Sequence, residues 1–187
     1  MRKTAIYLTV AVFMLASIFH LYAGTLAGVT LPDTVQARGT PLVLNGMGLR
    51  TKYMVKVYVA GLYLEQKSSD PDAIIKSDAT KRIVMQFLHD ATKSQMADAF
   101  NESFTDNTPD AKNALKADVD RFLGQLDTVK PGDQMIFTYI PGSGTTFVLT
   151  GGEKLTIPGA AFAQMLFSVW LGPKPPNPDL KKGLLGQ

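Results

Sequence analysis

The chain has 187 residues, of which 45% are hydrophobic and 19% are charged, so it has the size and composition of one globular domain and not of a disordered segment. It contains no cysteine, which excludes disulfides, thiol nucleophiles and cysteine-based metal sites. The net charge is +3, and Arg2 and Lys3 at the N-terminus contribute two of those charges. The remainder lacks the basic excess of a nucleic-acid-binding protein.

Residues 1–27 have the pattern of a secretory signal peptide. A positively charged start is followed by an apolar segment and by small residues at a cleavage site after Ala27. We therefore expect a signal peptide over residues 1–27, a single domain over residues 28–187, and a periplasmic or secreted protein. The alternative is an uncleaved segment that anchors the protein in the inner membrane, because no Asp, Glu, Lys or Arg lies between Lys3 and Asp33.

The first two predicted strands lie within residues 41–65. A short strand from Pro41 to Leu44 is predicted to end in an Asn45-Gly46 turn. Residues 51–65 then alternate with a period of two and predict one continuous strand. Its odd-numbered face, which begins with Tyr53, is predicted to pack on a core throughout, whereas its even-numbered face changes from polar to apolar at Tyr58.

The rest of the chain alternates predicted helices with predicted strands. The helices are predicted to begin at Asp70, Thr92, Thr108, Gly159 and Asn177, and the further strands are Lys81 to Leu88 and the segments QMIFTYI, TTFVLT and EKLTI. The last three strands are separated by glycine-rich turns, as in an antiparallel meander. This order predicts an α+β fold, in which helices cover one face of a large, mostly antiparallel sheet.

Two stretches of the sequence resemble the chalcone isomerase fold. "LNGMGLRTKYMVKVYVAGLYLE" is similar to the N-terminal signature of that fold, and "FSVWLGPKPPNPDLKKGLLG" is similar to its closing helices. The resemblance extends over residues about 41–187 and is to the bacterial chalcone isomerase-like branch, which carries signal peptides. It implies a chalcone isomerase-like fold with a ligand cleft between the sheet and the helices.

The resemblance also implies roles for individual residues. Catalytic members of the fold use an arginine that anchors an oxyanion, a threonine and a tyrosine that organise a water, and a hydroxyl on the penultimate helix. Arg50 matches the arginine, Tyr58 takes the place of the threonine, and His89 takes the place of the tyrosine. Ala163 or Gln164 stands where the helix hydroxyl would be. These replacements favour a binding protein over an enzyme and leave Arg50, Tyr58 and His89 as weak catalytic candidates.

Arg50 and Tyr58 are the candidate ligand-binding residues. A guanidinium matches the two oxygens of a carboxylate, and in the fatty-acid-binding branch of this fold an arginine and a tyrosine hold the ligand's carboxylate. In one continuous strand the two residues would lie roughly 26 Å apart, and residues 51–57 contain no Gly, Pro, Asn or Asp to mark a turn. The pair can therefore share one ligand only if the chain reverses between them. Lys52 and Lys56 are predicted to be solvated.

The expected function is that of an exported, non-catalytic protein which binds a fatty-acid-like or other apolar acidic ligand in the cleft. One alternative is an isomerase or lyase that uses Arg50 as an oxyanion anchor, and another is a scaffold or partner-binding protein with a vestigial cleft. We expect no cofactor, no nucleic-acid partner and no metal site, since His89 is the only histidine after residue 27. Membrane contact is expected only through an uncleaved N-terminal segment.

Overall fold

The structure is a computed structural model, and it describes residues 23–187. Of the predicted signal peptide, residues 1–22 lie outside the described part. The strands are β1 (Ala23–Leu26), β2 (Val29–Pro32), β3 (Thr34–Ala37), β4 (Thr40–Lys52), β5 (Val55–Leu64), β6 (Lys81–Phe87), β7 (Gln134–Ile140), β8 (Gly144–Leu149) and β9 (Gly152–Ile157). The helices are α1 (Pro71–Lys76), α2 (Lys93–Asn107), α3 (Pro109–Ala114), α4 (Lys116–Gly124), α5 (Ala160–Leu171) and α6 (Pro178–Leu184).

Strands β3 to β9 form one seven-stranded antiparallel sheet in which each strand pairs with the next along the chain. The helices cover one face of this sheet, where they bury the helix-side core, whose β5 members are Tyr58, Ala60, Leu62 and Leu64. The hairpin of β1 and β2 covers part of the other face and, with Val59 and Tyr63 of β5, forms the hairpin-side core. The predicted α+β architecture is therefore confirmed. The β1–β2 hairpin was not expected, because residues 23–26 fell within the predicted signal peptide.

The prediction of one continuous strand over residues 51–65 is wrong. β4 ends at Lys52 and β5 begins at Val55, and these two residues pair across the ladder. Tyr53 and Met54 form the two-residue turn between them, with positive φ angles of 48° and 66°. Such turns normally carry Asn or Gly, which tolerate positive φ, so the residue types gave no sign of the reversal. The odd-numbered face is fully buried only from Val59 onward.

The predicted turn at Asn45-Gly46 is also wrong, because β4 continues through it with a shift of register after Leu44. Asn45 is buried and serves as a tether between segments. Its Nδ2 donates to the carbonyl oxygens of Ser68 and Leu184 at 2.9 and 2.8 Å, and its Oδ1 accepts from the Ser68 amide. The side chain thus fastens β4 to the end of α6.

Glycines allow α6 to lie directly against β4. A Cβ at Gly46 would overlap the carbonyl oxygen of Gly183, and a Cβ at Gly48 would overlap that of Leu180. Gly183 of α6 must likewise lack a side chain, because a Cβ there would overlap the carbonyl oxygen of Met47 in β4. This close approach fixes the connector between α5 and α6 over the end of β4.

The other predicted elements are confirmed with one difference. The capping box between Thr92 and Gln95 is present at the start of α2. The helix predicted from Thr108 is divided at Leu115 into α3 and α4. The Thr108 hydroxyl does not cap α3, because it donates to the carbonyl oxygen of Phe104 in the preceding helix.

Lys81 at the start of β6 is a buried cation, with 1% of its surface exposed. Its Nζ donates to carbonyl oxygens at the C-terminal end of α1, and these are Ile74, Ile75 and Ser77 at 2.7, 3.1 and 2.9 Å. The ammonium also lies 5.4 Å from the ring centres of both Tyr139 and Phe167. Burial lowers the pKa of Lys81 from 10.5 to about 8.

Replacement of Gly46 by alanine should destabilise the fold, because the added methyl would push α6 away from β4. We expect Gly46→Ala to lower the free energy of unfolding by about 2 kcal/mol or more, measured by urea denaturation. Gly124→Ala is the matched control, since nothing lies within 4 Å of a Cβ at the end of α4. A Gly46→Ala protein as stable as this control would contradict the close approach.

The lowered pKa of Lys81 predicts that the free energy of unfolding increases as the pH rises above about 8. The folded state releases this proton at about pH 8 and the unfolded chain at about 10.5, so the unfolded state binds more protons between these values. We expect the free energy of unfolding to increase by roughly 1 kcal/mol between pH about 8 and about 9. Lys81→Met should abolish the increase, and the exposed Lys56→Met should retain it. A flat wild-type profile would contradict the assignment.

This pH window avoids the buried tyrosines, which act in the opposite direction. Burial raises the pKa values of Tyr58, Tyr63 and Tyr139 from 10.0 to about 12. The unfolded chain therefore loses these protons first, and stability falls as the pH rises above about 10.

Candidate ligand-binding cleft

A cleft of about 570 Å³ lies between the sheet and the helices. β5 and β6 form one wall, α2 and α5 form the opposite wall, and the connector after α5 closes one side. This volume is within the range of about 300–1,000 Å³ that is typical of small-molecule sites. The buried apolar lining consists of Met85, Phe87, Met96, Phe100, Val169 and Trp170.

Arg50 lines this cleft from the end of β4. Its Nη1 donates to the carbonyl oxygens of Thr51 and Pro176 at 2.9 and 2.6 Å, and to Oδ1 of Asn177 at 2.8 Å. The same Oδ1 accepts the Thr51 amide at 3.0 Å, so Asn177 holds both the strand end and the guanidinium. Within residues 23–187 no carboxylate forms an ion pair with Arg50. Its charge is therefore available to an anionic ligand.

Tyr58 lies directly opposite Arg50 in the β4–β5 ladder. Its side chain is 8% exposed, and its hydroxyl accepts a hydrogen bond from Nε1 of Trp170 at 3.1 Å. Burial raises the pKa of Tyr58 to about 12, although the Trp170 hydrogen bond and the charge of Arg50 partly offset this rise. The hydroxyl is therefore neutral at ordinary pH, and because it accepts from Trp170 it retains its own hydrogen for donation to a ligand.

The expectation that Arg50 and Tyr58 lie far apart on one continuous strand is wrong. The chain reverses at Tyr53 and Met54, so the two residues become cross-strand neighbours, whose Cβ atoms ordinarily lie about 4.5–5.5 Å apart. Both side chains line the same cleft. The structure therefore brings together the two residues that the sequence singled out for ligand binding.

His89 lies at the exposed edge of the cleft, two residues after β6 ends. Its Nδ1 is 3.1 Å from the carbonyl oxygen of Asp90, which is a local contact. Ala163 is buried among the helices, and neither it nor Gln164 belongs to the cleft lining. The third catalytic candidate thus reaches the rim of the cleft, whereas Tyr58 lies in the buried part.

Charged side chains of both signs surround the mouth of the cleft. The bases are Lys52 and Lys174, and the acids are Asp90, Glu102 and Asp106. Nζ of Lys174 lies 3.5 Å from Oδ1 of Asp106, and both side chains are exposed. No group of three or more potential metal-binding side chains occurs among the residues that the structure describes. In the same residues, no helix combines the length and the apolarity that a bilayer crossing requires.

Sequence reasoning missed the functional positions of Trp170 and Asn177. Trp170 lies on α5 and is buried, and because a buried indole usually needs a hydrogen-bond acceptor, that need could have identified it as a polar partner. Asn177 was expected to begin the last helix. Its side chain makes no capping hydrogen bond and is instead directed to Arg50 and Thr51, a contact that sequence spacing could not predict.

Comparison with known proteins identifies the family. The sequence profile of the family described as chalcone isomerase-like matches residues 23–186. The chain belongs to the chalcone isomerase-like family. Its structure is similar to the crystal structure of a fatty-acid binding protein from Arabidopsis thaliana, with a TM-score of 0.69 and 13% sequence identity, over 88% of this chain and 96% of that chain. At this identity the similarity establishes the fold alone. No curated protein sequence matches the chain significantly.

The family assignment confirms the resemblance seen in the sequence. The match begins at residue 23, where the described structure begins with β1. It therefore includes residues 23–27, which the predicted signal peptide also included. The chalcone isomerase-like domain of this protein contains the β1–β2 hairpin as well as the large sheet and the helices.

The double role of Asn177 predicts that its loss will loosen the end of β4. Asn177→Ala removes one acceptor from both Arg50 and the Thr51 amide, and we expect the free energy of unfolding to fall by about 1–2 kcal/mol. Asn113→Ala on the exposed side of α3 is the control and should leave stability unchanged or slightly higher. The two values can be compared by urea denaturation. Equal stability of the two variants would contradict the role assigned to Asn177.

Proposed function

We propose that this protein binds a fatty-acid-like ligand, or another apolar ligand with an acidic head group, in the cleft between its sheet and helices. The observation that carries the proposal is the pairing of Arg50 with Tyr58 at the edge of a buried apolar lining. Arg50 supplies a fixed positive charge, and Tyr58 supplies a neutral hydroxyl donor. Together they fit one carboxylate.

The apolar part of the cleft suits a flexible hydrocarbon chain. Met85 and Met96 have adaptable side chains, and the aromatic rings around them are held in edge contacts. The ring centres of Tyr58 and Phe87 are 5.8 Å apart, and those of Phe100 and Trp170 are 6.1 Å apart. Within this lining the ligand would contact few polar groups beyond the head-group pair, as in most small-molecule sites.

The structural relative supports the same class of ligand. The Arabidopsis thaliana protein of similar fold is a fatty-acid binding protein. The proposal for the present chain rests on its own cleft residues, and the relative makes a fatty acid the first ligand to test.

We further propose that the protein is exported, which the N-terminal sequence pattern and the absence of cysteine support. Cleavage after Ala27 would remove β1, which pairs with β2 and places Leu26 against the hairpin-side core. N-terminal sequencing of the protein recovered from its native host would give the mature first residue. A mature chain that still begins at Met1 would favour the membrane-anchored alternative.

The head-group proposal predicts a strong preference for an acid over an uncharged analogue. We expect the full chain to bind palmitic acid, and Arg50→Gln to weaken this binding by roughly 10- to 100-fold, because a charge-assisted hydrogen bond is lost. Binding of hexadecanol should be weak in both proteins. Isothermal titration calorimetry measures all four affinities. Palmitic acid and hexadecanol binding equally well would contradict recognition of the carboxylate.

Two further variants separate head-group recognition from general damage to the fold. Tyr58→Phe removes only the hydroxyl, so it should weaken the binding of palmitic acid and leave the binding of hexadecanol unchanged. Ala99→Trp places an indole on an exposed residue of α2 that lines the cleft, and it should block both ligands. Ala117→Trp, on an exposed position of α4 outside the cleft, should block neither. If Ala99→Trp binds palmitic acid as the wild type does, the ligand lies elsewhere.

A further inference from the structure

The tip of the β4–β5 hairpin, defined as residues 52–56, exposes its apolar side chains. Tyr53, Met54 and Val55 are 90%, 99% and 41% exposed, and they are the large hydrophobic residues that the described chain leaves exposed. Single exposed apolar residues are common on protein surfaces, but three consecutive ones at the end of a hairpin are not. Their position therefore calls for a specific explanation.

The turn geometry makes this composition more unusual. Tyr53 and Met54 both have positive φ, a conformation that costs free energy in residues other than glycine. Asn-Gly would satisfy the same two-residue turn with less strain. A turn that places tyrosine and methionine at these positions retains strain and gains exposed apolar surface. Backbone strain is retained mainly at functional sites, and exposed apolar surface marks sites of interaction.

The charges of the tip point to the nature of that contact. Lys52 and Lys56 flank the apolar residues, and Nζ of Lys52 lies 5.9 Å from the centre of the Tyr53 ring. No acid occurs between Arg50 and Tyr58. The acids of the cleft lining, Asp90, Glu102 and Asp106, belong to other segments of the chain, and Lys174 pairs with Asp106. The tip itself is thus both apolar and basic.

The tip also adjoins the cleft. Tyr53 and Val55 line its mouth together with Lys52, while Met54 and Lys56 do not. A surface bound at the tip would therefore lie next to the opening through which a ligand enters.

We propose that the β4–β5 tip docks onto the surface of a membrane that contains anionic lipid, and that the cleft exchanges its ligand with that membrane. Tyrosine and methionine would enter the interfacial region, and the two lysines would lie against anionic head groups. Three side chains cover far less than the roughly 800 Å² that each partner contributes to a stable protein interface, whereas weak, reversible contact suits a lipid surface. The exchange rests on the proposed function, but the docking does not.

A tryptophan placed at the tip tests the docking locally. Met54→Trp adds an indole to the most exposed tip residue, and Ala117→Trp adds one to an exposed position on α4. Each full-length variant is mixed with vesicles of phosphatidylcholine and phosphatidylglycerol whose acyl chains carry bromine, which quenches indole fluorescence on contact. We expect quenching of the added indole in Met54→Trp and none in Ala117→Trp. No fatty acid is added in this experiment. Equal quenching in the two variants, or none in either, overturns the proposal.

Two variants outside the cleft lining test the physical basis of docking. Met54→Gly relieves the positive φ and should leave thermal stability unchanged or higher, while vesicle affinity falls about tenfold with the lost apolar contact. Lys56→Ser should weaken binding to phosphatidylglycerol-containing vesicles roughly fivefold and leave binding to pure phosphatidylcholine vesicles unchanged. If neither variant changes vesicle binding, another part of the chain binds the membrane and the proposal is wrong. A wild-type dimer that Met54→Gly converts to a monomer would assign the tip to self-association instead.

Ligand exchange gives a separate readout. The rate at which a fluorescent fatty acid passes from vesicles to the protein should increase with vesicle concentration for the wild type, and this dependence should be lost in Met54→Gly. Binding of the free fatty acid in solution should be the same in both proteins. If the indole test succeeds while Arg50→Gln and Ala99→Trp bind fatty acid as the wild type does, the docking stands and the proposed ligand site fails. A vesicle-independent rate in the wild type overturns membrane exchange.

Discussion

The close contact between α6 and β4 is the constraint on which the cleft depends. Backbone meets backbone there because Gly46, Gly48 and Gly183 have no side chains to separate the two elements. Asn45 then fastens the same strand to the end of the helix. This contact fixes the connector before α6, so the oxygens that hold Arg50 are positioned by packing between residues outside the cleft lining. A substitution at the glycines would disturb the site without touching any of its lining residues.

The second requirement is the tight reversal of the chain between β4 and β5. Without it, Arg50 and Tyr58 would lie at distant points of one strand. With it, they become neighbours on a rigid two-stranded ladder, and each is held by a different element, Arg50 by the connector and Tyr58 by Trp170 of α5. Strands and helices hold functional groups more rigidly than loops do, so the pair is well ordered before any ligand arrives.

The sequence predicted the class of fold, most of the helices and the meander, because these depend on local signals. Alternation of apolar residues predicted β6 to β9, and the helix start predicted at Thr92 matches the N-cap of α2. It also identified Arg50 and Tyr58 through the family resemblance. Two features beside the cleft could not be predicted. The turn at Tyr53 and Met54 lacks turn residues, and the role of Asn177 is a contact across 126 positions of the chain. Tyr53 and Met54 are unusual residues for a turn with positive φ, whereas Asn177 is an ordinary residue for a helix start whose side chain bonds elsewhere.

The raised pKa of Tyr58 has a consequence for how binding of the proposed ligand would respond to pH. An arginine side chain is always charged in a protein, and the Tyr58 hydroxyl stays neutral up to a pH of about 12. The electrostatic character of the pair is therefore constant over the whole physiological range. Any proton that changes occupancy would have to come from the ligand, so a carboxylic acid would be retained as an anion and released when it becomes protonated. The selectivity for ionised over neutral lipid would then be a property of the ligand's own titration, with the protein acting as a fixed counter-charge.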